Sequence, residues 1–403
     1  MKAGWQTNTL GDVLAVIRNG VNCKQDKSGN GDRISRIESI SDATFDLEKV
    51  GYAELSEREK EKNRLEQGDI LFSHINSAIH VGKTAVFDCE EPVYHGVNLL
   101  LMRPKEVVTS AYLDHALKYL FQRGYWRGVC KQSVNQASVN QQDISRVEIR
   151  YPQSLVEQQR IVGLLDEAFA CIATAKANAE KNLQNARTIF ESHLQSVFTQ
   201  RGQGWVETTL SRATDGIFTG PFGSLLHKSE YIADGIPLVN PAHITEVGIE
   251  PDLHKTVSKA TALRLKNYIM REGDIVIGRR GEMGRCALVT EVEDGWLCGT
   301  GSFFIKPSRR CDTRYLVRFL RSDSCKARLK KIAGGAVMPN LSNTDLGNLY
   351  FDLPPLDRQK AIVEEIDSLH EQTQRLARLY ERKLAALHAL KKSLLHQAFN
   401  GEV

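Results

Sequence analysis

The chain is written twice. Gly4-Trp5 followed by Thr9-Leu10 returns as Gly204-Trp205 followed by Thr209-Leu210, an offset of about 200 residues. Further matches keep that order: Gly20 with Gly220, Gln67-Gly68-Asp69-Ile70 with Glu272-Gly273-Asp274-Ile275, Arg103-Pro104 with Lys306-Pro307, and Tyr112-Leu113 with Tyr315-Leu316. Pro152, Ile161-Val162 and Phe198 then pair with Pro354, Ile362-Val363 and Phe399. Whatever one half folds into, the other must fold into as well.

Each half opens with a mixed segment. Short β-branched and apolar runs, Asp69 to Phe72, Thr84 to Phe87, Asp274 to Ile277 and Ala287 to Thr290, are broken by Gly, Asn and Asp, which predicts strands and turns. Each half then closes with a long stretch rich in Ala, Leu, Glu, Lys, Arg and Gln that favours helix at nearly every position. The organisation expected is therefore α/β (α+β), with globular domains over residues 1–154 and 201–355 and long helices over 155–200 and 356–403.

Apolar positions in the second helix recur at steps of three and four: Ile366, Leu369, Thr373, Leu376, Tyr380, Leu387, Leu390 and Leu394. Phe169, Ile172, Ala179, Leu183, Ala186, Phe190 and Val197 do the same in the first, so both carry a heptad seam. About 40 residues at ~1.5 Å each make a rod near 60 Å long, too long to bury against one small domain. The expectation is that the two rods pair as an antiparallel coiled coil in a pseudo-two-fold arrangement, with the globular domains at opposite ends and the chain termini close together.

The N-terminus, Met1-Lys2-Ala3-Gly4-Trp5, shows no apolar signal segment, and runs such as Leu99-Leu100-Leu101-Met102 fall far short of the ~20 residues of a membrane span. A cytoplasmic protein without membrane association is expected. Eight cysteines are scattered without a Cys-x-x-Cys pair, as suits reduced thiols, and no metal site is expected. A net charge of +4 is compatible with an anionic partner but selects none.

Motifs for chemistry fail on inspection. Gly82-Lys83-Thr84 looks like the end of a phosphate-binding loop, yet Ser77 stands where its first glycine belongs, a strand follows, and the repeat partner is Gly284-Arg285-Cys286. Phe218 to Gly223 faintly suggests a cofactor-binding glycine turn. Asn240-Pro241-Ala242-His243 lacks the aromatic residue on which an amino-methyltransferase stacks a flipped base. No cofactor is expected in this chain. What remains is polar and basic surface on loops. Arg279-Arg280-Gly281 directly follows an apolar run, and guanidinium forks suit phosphate and guanine alike. Arg314, Arg318 and Arg321 share one helix face, followed by Lys326, Arg328, Lys330 and Lys331, a pattern usually met as a solvated face. The segments Gly334 to Asn343 and Lys131 to Gln142 supply Asn, Gln and Ser that could bond adenine edges, whereas the charged run Glu54 to Glu66 reads as a solvated helix. The candidate DNA-contacting residues are Ser224, His227, Lys228, Arg279, Arg280, Lys330, Lys331 and Asn340 in the second half. In the first they are His74, Asn76, Lys83, Lys131, Gln132 and Asn135.

Taken together, the double repeat and the helix entries resemble the specificity subunits of type I restriction-modification systems. The entries read Tyr151-Pro152 then Glu157-Gln158-Gln159-Arg160-Ile161-Val162, and Leu353-Pro354-Pro355-Leu356 then Arg358-Gln359-Lys360-Ala361-Ile362-Val363. Gly220-Pro221-Phe222-Gly223-Ser224, Gly273-Asp274-Ile275-Val276 and Gly281 with Gly284 look like landmarks of the second recognition domain. The first departs at the matching loop, Gly20-Val21-Asn22-Cys23. The resemblance implies a non-catalytic subunit that binds double-stranded DNA, each domain reading one part of a bipartite, asymmetric target. It also implies that the helices set the unread spacer and dock two methyltransferase subunits using S-adenosylmethionine, joined by restriction-motor subunits using ATP and magnesium. Two other classes are weighed: a self-sufficient DNA methyltransferase, and a coiled-coil scaffold with no DNA role.

Overall fold

The computed structural model describes residues 4–133, 136–222, 225–334 and 340–402. In chain order the first copy supplies β1 (Trp5–Thr9), β2 (Leu14–Asn19), β3 (Ile70–Phe72), β4 (Thr84–Val86), β5 (Leu100–Pro104), α1 (Ser110–Gln122), β6 (Glu148–Pro152) and α2 (Leu155–Thr199). The second supplies β7 (Val206–Thr209), β8 (Thr214–Thr219), β9 (Ile275–Gly278), β10 (Cys286–Leu288), β11 (Ser302–Pro307), α3 (Thr313–Arg321), β12 (Tyr350–Leu353) and α4 (Leu356–Asn400). The order is the same in both, and so is the pairing. An antiparallel sheet runs β2-β5-β3-β4 in the first copy and β8-β11-β9-β10 in the second, while β1 pairs with β6 and β7 with β12. The second copy adds a smaller sheet in which Ile236–Val239 lies between Thr256–Val257 and, in parallel, Leu297–Cys298.

The strands β3 and β9 are continuous apolar runs because both of their faces are covered. Ile70 and Phe72 enter one core cluster and Leu71 enters another; Ile275 and Ile277, with Val276 between them, divide the same way. The run expected over Ala287 to Thr290 forms its strand slightly earlier, at Cys286–Leu288, and the charged stretch from Glu54 contains a short helix, Glu57–Asn63.

Two compact units result: residues 1–180 with 381–403, and residues 181–380. The division cuts through both long helices. In the first unit, Ile161 and Leu165 near the start of α2 share a core with Leu395, Ala398 and Phe399 near the end of α4. In the second, Ile362, Val363 and Ile366 near the start of α4 share one with Phe198 at the end of α2. Within each unit the two helix segments therefore meet in opposite chain order. The seam differs from the heptad expectation at Leu376 and Leu390, which are 41% and 47% exposed, while Leu395, Ala398 and Phe399 are buried. A straight helix of 3.6 residues per turn drifts out of a strict seven-residue stripe by about 20° per heptad.

Matching buried polar ties hold each copy. The Asp69 carboxylate accepts from Arg103 at 2.7 and 2.9 Å, and Asp274 accepts from Lys306 at 2.9 Å. Tyr112 Oη donates to the Arg150 carbonyl and Tyr315 Oη to that of Asp352. At the entry to α2, fully buried Gln158 accepts from the Thr109 amide at 2.9 Å and donates to the carbonyls of Val107 and Pro152. Gln359, equally buried at the entry to α4, accepts from the Asp312 amide at 2.7 Å and donates to Arg310 and Pro354. One amide thus satisfies three backbone groups at the junction of domain and helix.

Replacing Gln158 with Leu keeps the bulk but strands those three groups, each at a cost of about 1–3 kcal/mol. Chemical denaturation should show a loss of at least ~2 kcal/mol for Gln158→Leu and the same order for Gln359→Leu. A second test concerns His95, which is fully buried, bonds the Leu99 carbonyl through Nε2 and is pushed down to about 3 by desolvation. The unfolded chain takes up this proton near pH ~6.5 while the folded chain refuses it, so stability is lost as pH falls below that value. Thermal melts of His95→Gln between pH 7 and 5 should show a shallower decline than the parent protein.

Candidate nucleic-acid interface

In the second copy, β9 ends at Gly278 and the chain turns through Arg279, Arg280 and Gly281, the last with φ of 80°. The turn is braced from behind. The Arg279 amide donates to the Gly301 carbonyl at 3.0 Å, its carbonyl accepts from the Leu341 amide at 3.0 Å, and Arg280 bridges Asn340. Asn340 Oδ1 accepts from Nε of both arginines, at 3.2 and 3.3 Å, and the Arg279 guanidinium lies 5.3 Å from the centre of the Phe303 ring. Among the described residues neither arginine has a carboxylate partner. Burial and the adjacent Arg280 charge both lower the pKa of Arg279. Two repelling cations oriented by one neutral amide make a receptive place for an anion or a guanine edge.

Lys330 and Lys331 are exposed at the end of the helix Asp323–Ile332, which runs toward Gly334, itself bridged to Asn340. This helix and the arginine turn are neighbours: Glu282 is held below the ordinary carboxylate range by its hydrogen bond to Arg285, with the Lys326 and Lys330 charges contributing. His227 and Lys228 are exposed elsewhere, on a turn entering the strand Tyr231–Ile232. No described hydrogen bond or ion pair joins them to Arg279 or Arg280. Ser224 lies outside the described residues.

The first copy uses the same backbone frame with other side chains. The Val139 amide donates to the His74 carbonyl, as Leu341 does to Arg279, and Ile75 pairs with Ser138 where Arg280 bridges Asn340. Here Ile75–Asn76, Gln136–Ser138 and Lys131–Ser133 form a small antiparallel sheet. Lys131 and Gln132 are exposed on it; Asn76 is half-buried and bonds Ser73 and Ser77. Asn135 lies outside the described residues.

Two first-copy candidates are corrected. His74 is 5% exposed, and desolvation lowers its pKa to about 4, so it is a neutral packing residue rather than a cationic contact. Lys83 donates from Nζ to the Ser41 carbonyl at 2.8 Å and serves as a tether. Its neighbours explain the loop-like motif by packing: at Gly82 a Cβ would stand 2.0 Å from the Trp126 ring, and Thr84 donates to Asp114 at 2.6 Å. Asn240 is likewise structural, since a Cβ at Gly299 would meet its Oδ1 at 2.3 Å.

The arginines of the basic face of α3 are tied down, although Arg314 remains exposed. Arg314 and Arg318 both pair with Asp367 of α4, and Arg321 donates to the carbonyls of Cys286, Thr245 and Glu246. Arg318 and Arg321 line a cavity of about 690 Å³ beside Phe190 and His370, Arg321 with all three of its nitrogens bonded to backbone carbonyls and Arg318 held by Asp367. In the first copy His115 and Asp166, 2.8 Å apart, occupy the positions of Arg318 and Asp367. Asn19 and Gln141, joined at 2.6 Å, lie opposite Thr219 and Asn343, joined at 2.7 Å, in the repeat alignment; Gln141 and Asn343 fall in the two amide-rich segments read from the sequence, whereas Asn19 had no signal beyond that alignment.

The family model for the type I restriction modification DNA specificity domain matches residues 2–185 and 225–382. A Methanocaldococcus jannaschii chain described as a putative specificity subunit of the type I restriction enzyme MjaX is 30% identical over 99% of this chain and 93% of its own length. The StySPI specificity subunit of Salmonella potsdam is 23% identical over 99% and 89%. The HsdS subunit from Thermoanaerobacter tengcongensis shares the fold, with a TM-score of 0.66 at 18% identity over 100% of this chain and 98% of that one. A chain from a structure of complex assembly and conformational transition in the type I R-M system gives 0.73, also at 18% identity, over 100% and 99%. On the extent of these matches and the repeated fold, the chain belongs to the type I restriction-modification DNA specificity domain family.

Proposed function

We propose that this protein is the subunit that reads a bipartite, asymmetric target in double-stranded DNA for a type I restriction-modification enzyme. The observation that carries the reading is one domain frame, built twice with the same buried ties, carrying unlike side chains at the same place: Arg279 and Arg280 in one copy, and in the other the exposed Lys131, Gln132 and Gln142 around a buried His74. Unlike side chains on equivalent loops select unlike base edges, so one protein reads two different half-sites. The long helices hold the unread spacer and dock two methyltransferase subunits, and restriction-motor subunits complete the enzyme in the cytoplasm. S-adenosylmethionine, ATP and magnesium belong to those partners, and this chain performs no bond chemistry.

Methylation-sensitive sequencing of DNA from cells carrying the system should return two short, unlike motifs separated by a fixed unread gap, and deleting this chain should abolish the modification. A single unbroken motif would overturn the bipartite reading. The purified protein incubated alone with labelled S-adenosylmethionine and DNA should transfer no methyl groups, and adding its methyltransferase partner should start transfer. Turnover by the isolated chain would place catalysis here instead.

A further inference from the structure

The first copy has a groove of about 500 Å³ where the second has its arginine turn. Its lining contains Asn19, His74, Ile75, Ser138, Gln141 and Gln142, and no charged side chain contributes to it. Lys131, opposite Ser138 in the small sheet, borders it on the same face. The floor is held by a chain of fixed roles. Asn19 Nδ2 faces the Val97 carbonyl at 3.2 Å, and a carbonyl only accepts, so this atom is the amide nitrogen. The same nitrogen faces His74 Nε2 at 3.0 Å, which makes Nε2 the acceptor of a neutral ring. Asn19 Oδ1 then accepts from Gln141 Nε2 at 2.6 Å. Gln142, next along the short helix Gln141–Ser145, is exposed and its amide makes no hydrogen bond among the described residues. In the second copy the equivalent residue is Thr344, and the guanidinium groups of Arg279 and Arg280 stand at the positions of His74 and Ile75.

We propose that the two copies read by different chemistry: the first through the uncharged amide of Gln142, seated on the Asn19–Gln141 pair and directed to an adenine edge, the second through Arg279 and Arg280, directed to guanine and phosphate. A carboxamide offers one donor and one acceptor in a plane, matching adenine N7 and N6, whereas a guanidinium offers donors only and matches guanine O6 and N7. This rests on the reading of the chain as a DNA-recognition subunit.

The test uses the protein in complex with its methyltransferase partner and DNA libraries randomised in one half-site at a time, over a range of salt. Gln142→Ala should relax one A·T preference in the first half-site by roughly tenfold or more and leave the log-log salt slope unchanged. The near-isosteric Gln142→Glu should move that preference from adenine to cytosine, whose exocyclic amine donates to a carboxylate. Arg279→Ala with Arg280→Ala should leave the first half-site untouched. It should lower the salt slope by about 0.9 for each phosphate that is no longer neutralised, or relax a G·C preference in the second half-site. Unchanged first-half preference in both Gln142 variants, or a fall in salt slope on Gln142→Ala, would overturn the proposal while leaving DNA reading intact. No half-site preference in the parent complex would overturn the underlying reading itself.

Discussion

Neither copy of the domain closes its core with its own helix alone. The sheet and α1 of the first copy are sealed by the start of α2 together with Leu395, Ala398 and Phe399 of α4, and Phe399 packs edge-on to Tyr112 and stacks on Tyr119. The second copy is sealed by the start of α4 together with Phe198 of α2, which meets Tyr315 and Phe319. Burying a large apolar side chain is worth about 1.5–3 kcal/mol, so each of these terminal residues is a sizeable fraction of a domain's net stability. The exchange is reciprocal: each copy completes its own sheet, but part of the cover on its core comes from the helix of the other copy.

Around that shared packing, the residues that match between the copies are those that satisfy buried polar groups. Gln158 and Gln359 lock each helix entry, Asp69 and Asp274 each hold a cation from the neighbouring strand, and His115–Asp166 stands where Arg318–Asp367 stands. An unpaired buried group is costly whichever half it sits in, so these pairs tolerate a change of residue type only when donor and acceptor are both kept. The loop ends carry no such constraint. The bond from the Val139 amide to the His74 carbonyl recurs as that from Leu341 to Arg279, while beyond it the first copy extends the pairing into a small sheet and the second makes a bridge between Arg280 and Asn340, so the two halves diverge at these loop ends.

Net charge is a poor guide to where such a protein is cationic. Arg103, Arg314, Arg318 and Arg321, along with Lys83 and Lys306, are all engaged in internal contacts, whereas Arg279 and Arg280 are left facing each other across one asparagine. Arg279 and Arg280 are thereby set apart from these engaged cations. The position of the arginine pair is set by the end of the central strand β9 and by the bridge to Asn340.

The sequence by itself determined the duplication, the α/β (α+β) class, the apolar strands β3 and β9 and the long helices, because these are carried by repeat order and by residue periodicity along a local stretch, and the motifs at the two helix entries carried the resemblance to the family. It also located the Arg279 turn and the amide-rich segment ending at Gln142. Only the tertiary structure decided that His74 is buried and neutral, that Lys83 is a tether, that the basic face of α3 belongs to Asp367 and to backbone carbonyls, and that Leu376 and Leu390 stand open. Each of the polar roles depends on a partner far away along the chain: Asn19 for His74, Ser41 for Lys83, Asp367 for Arg318. A titratable side chain looks the same in sequence whether it meets water or a buried carbonyl. Desolvation and the nearest opposite charge give it its role, and both are set by the packing of distant segments.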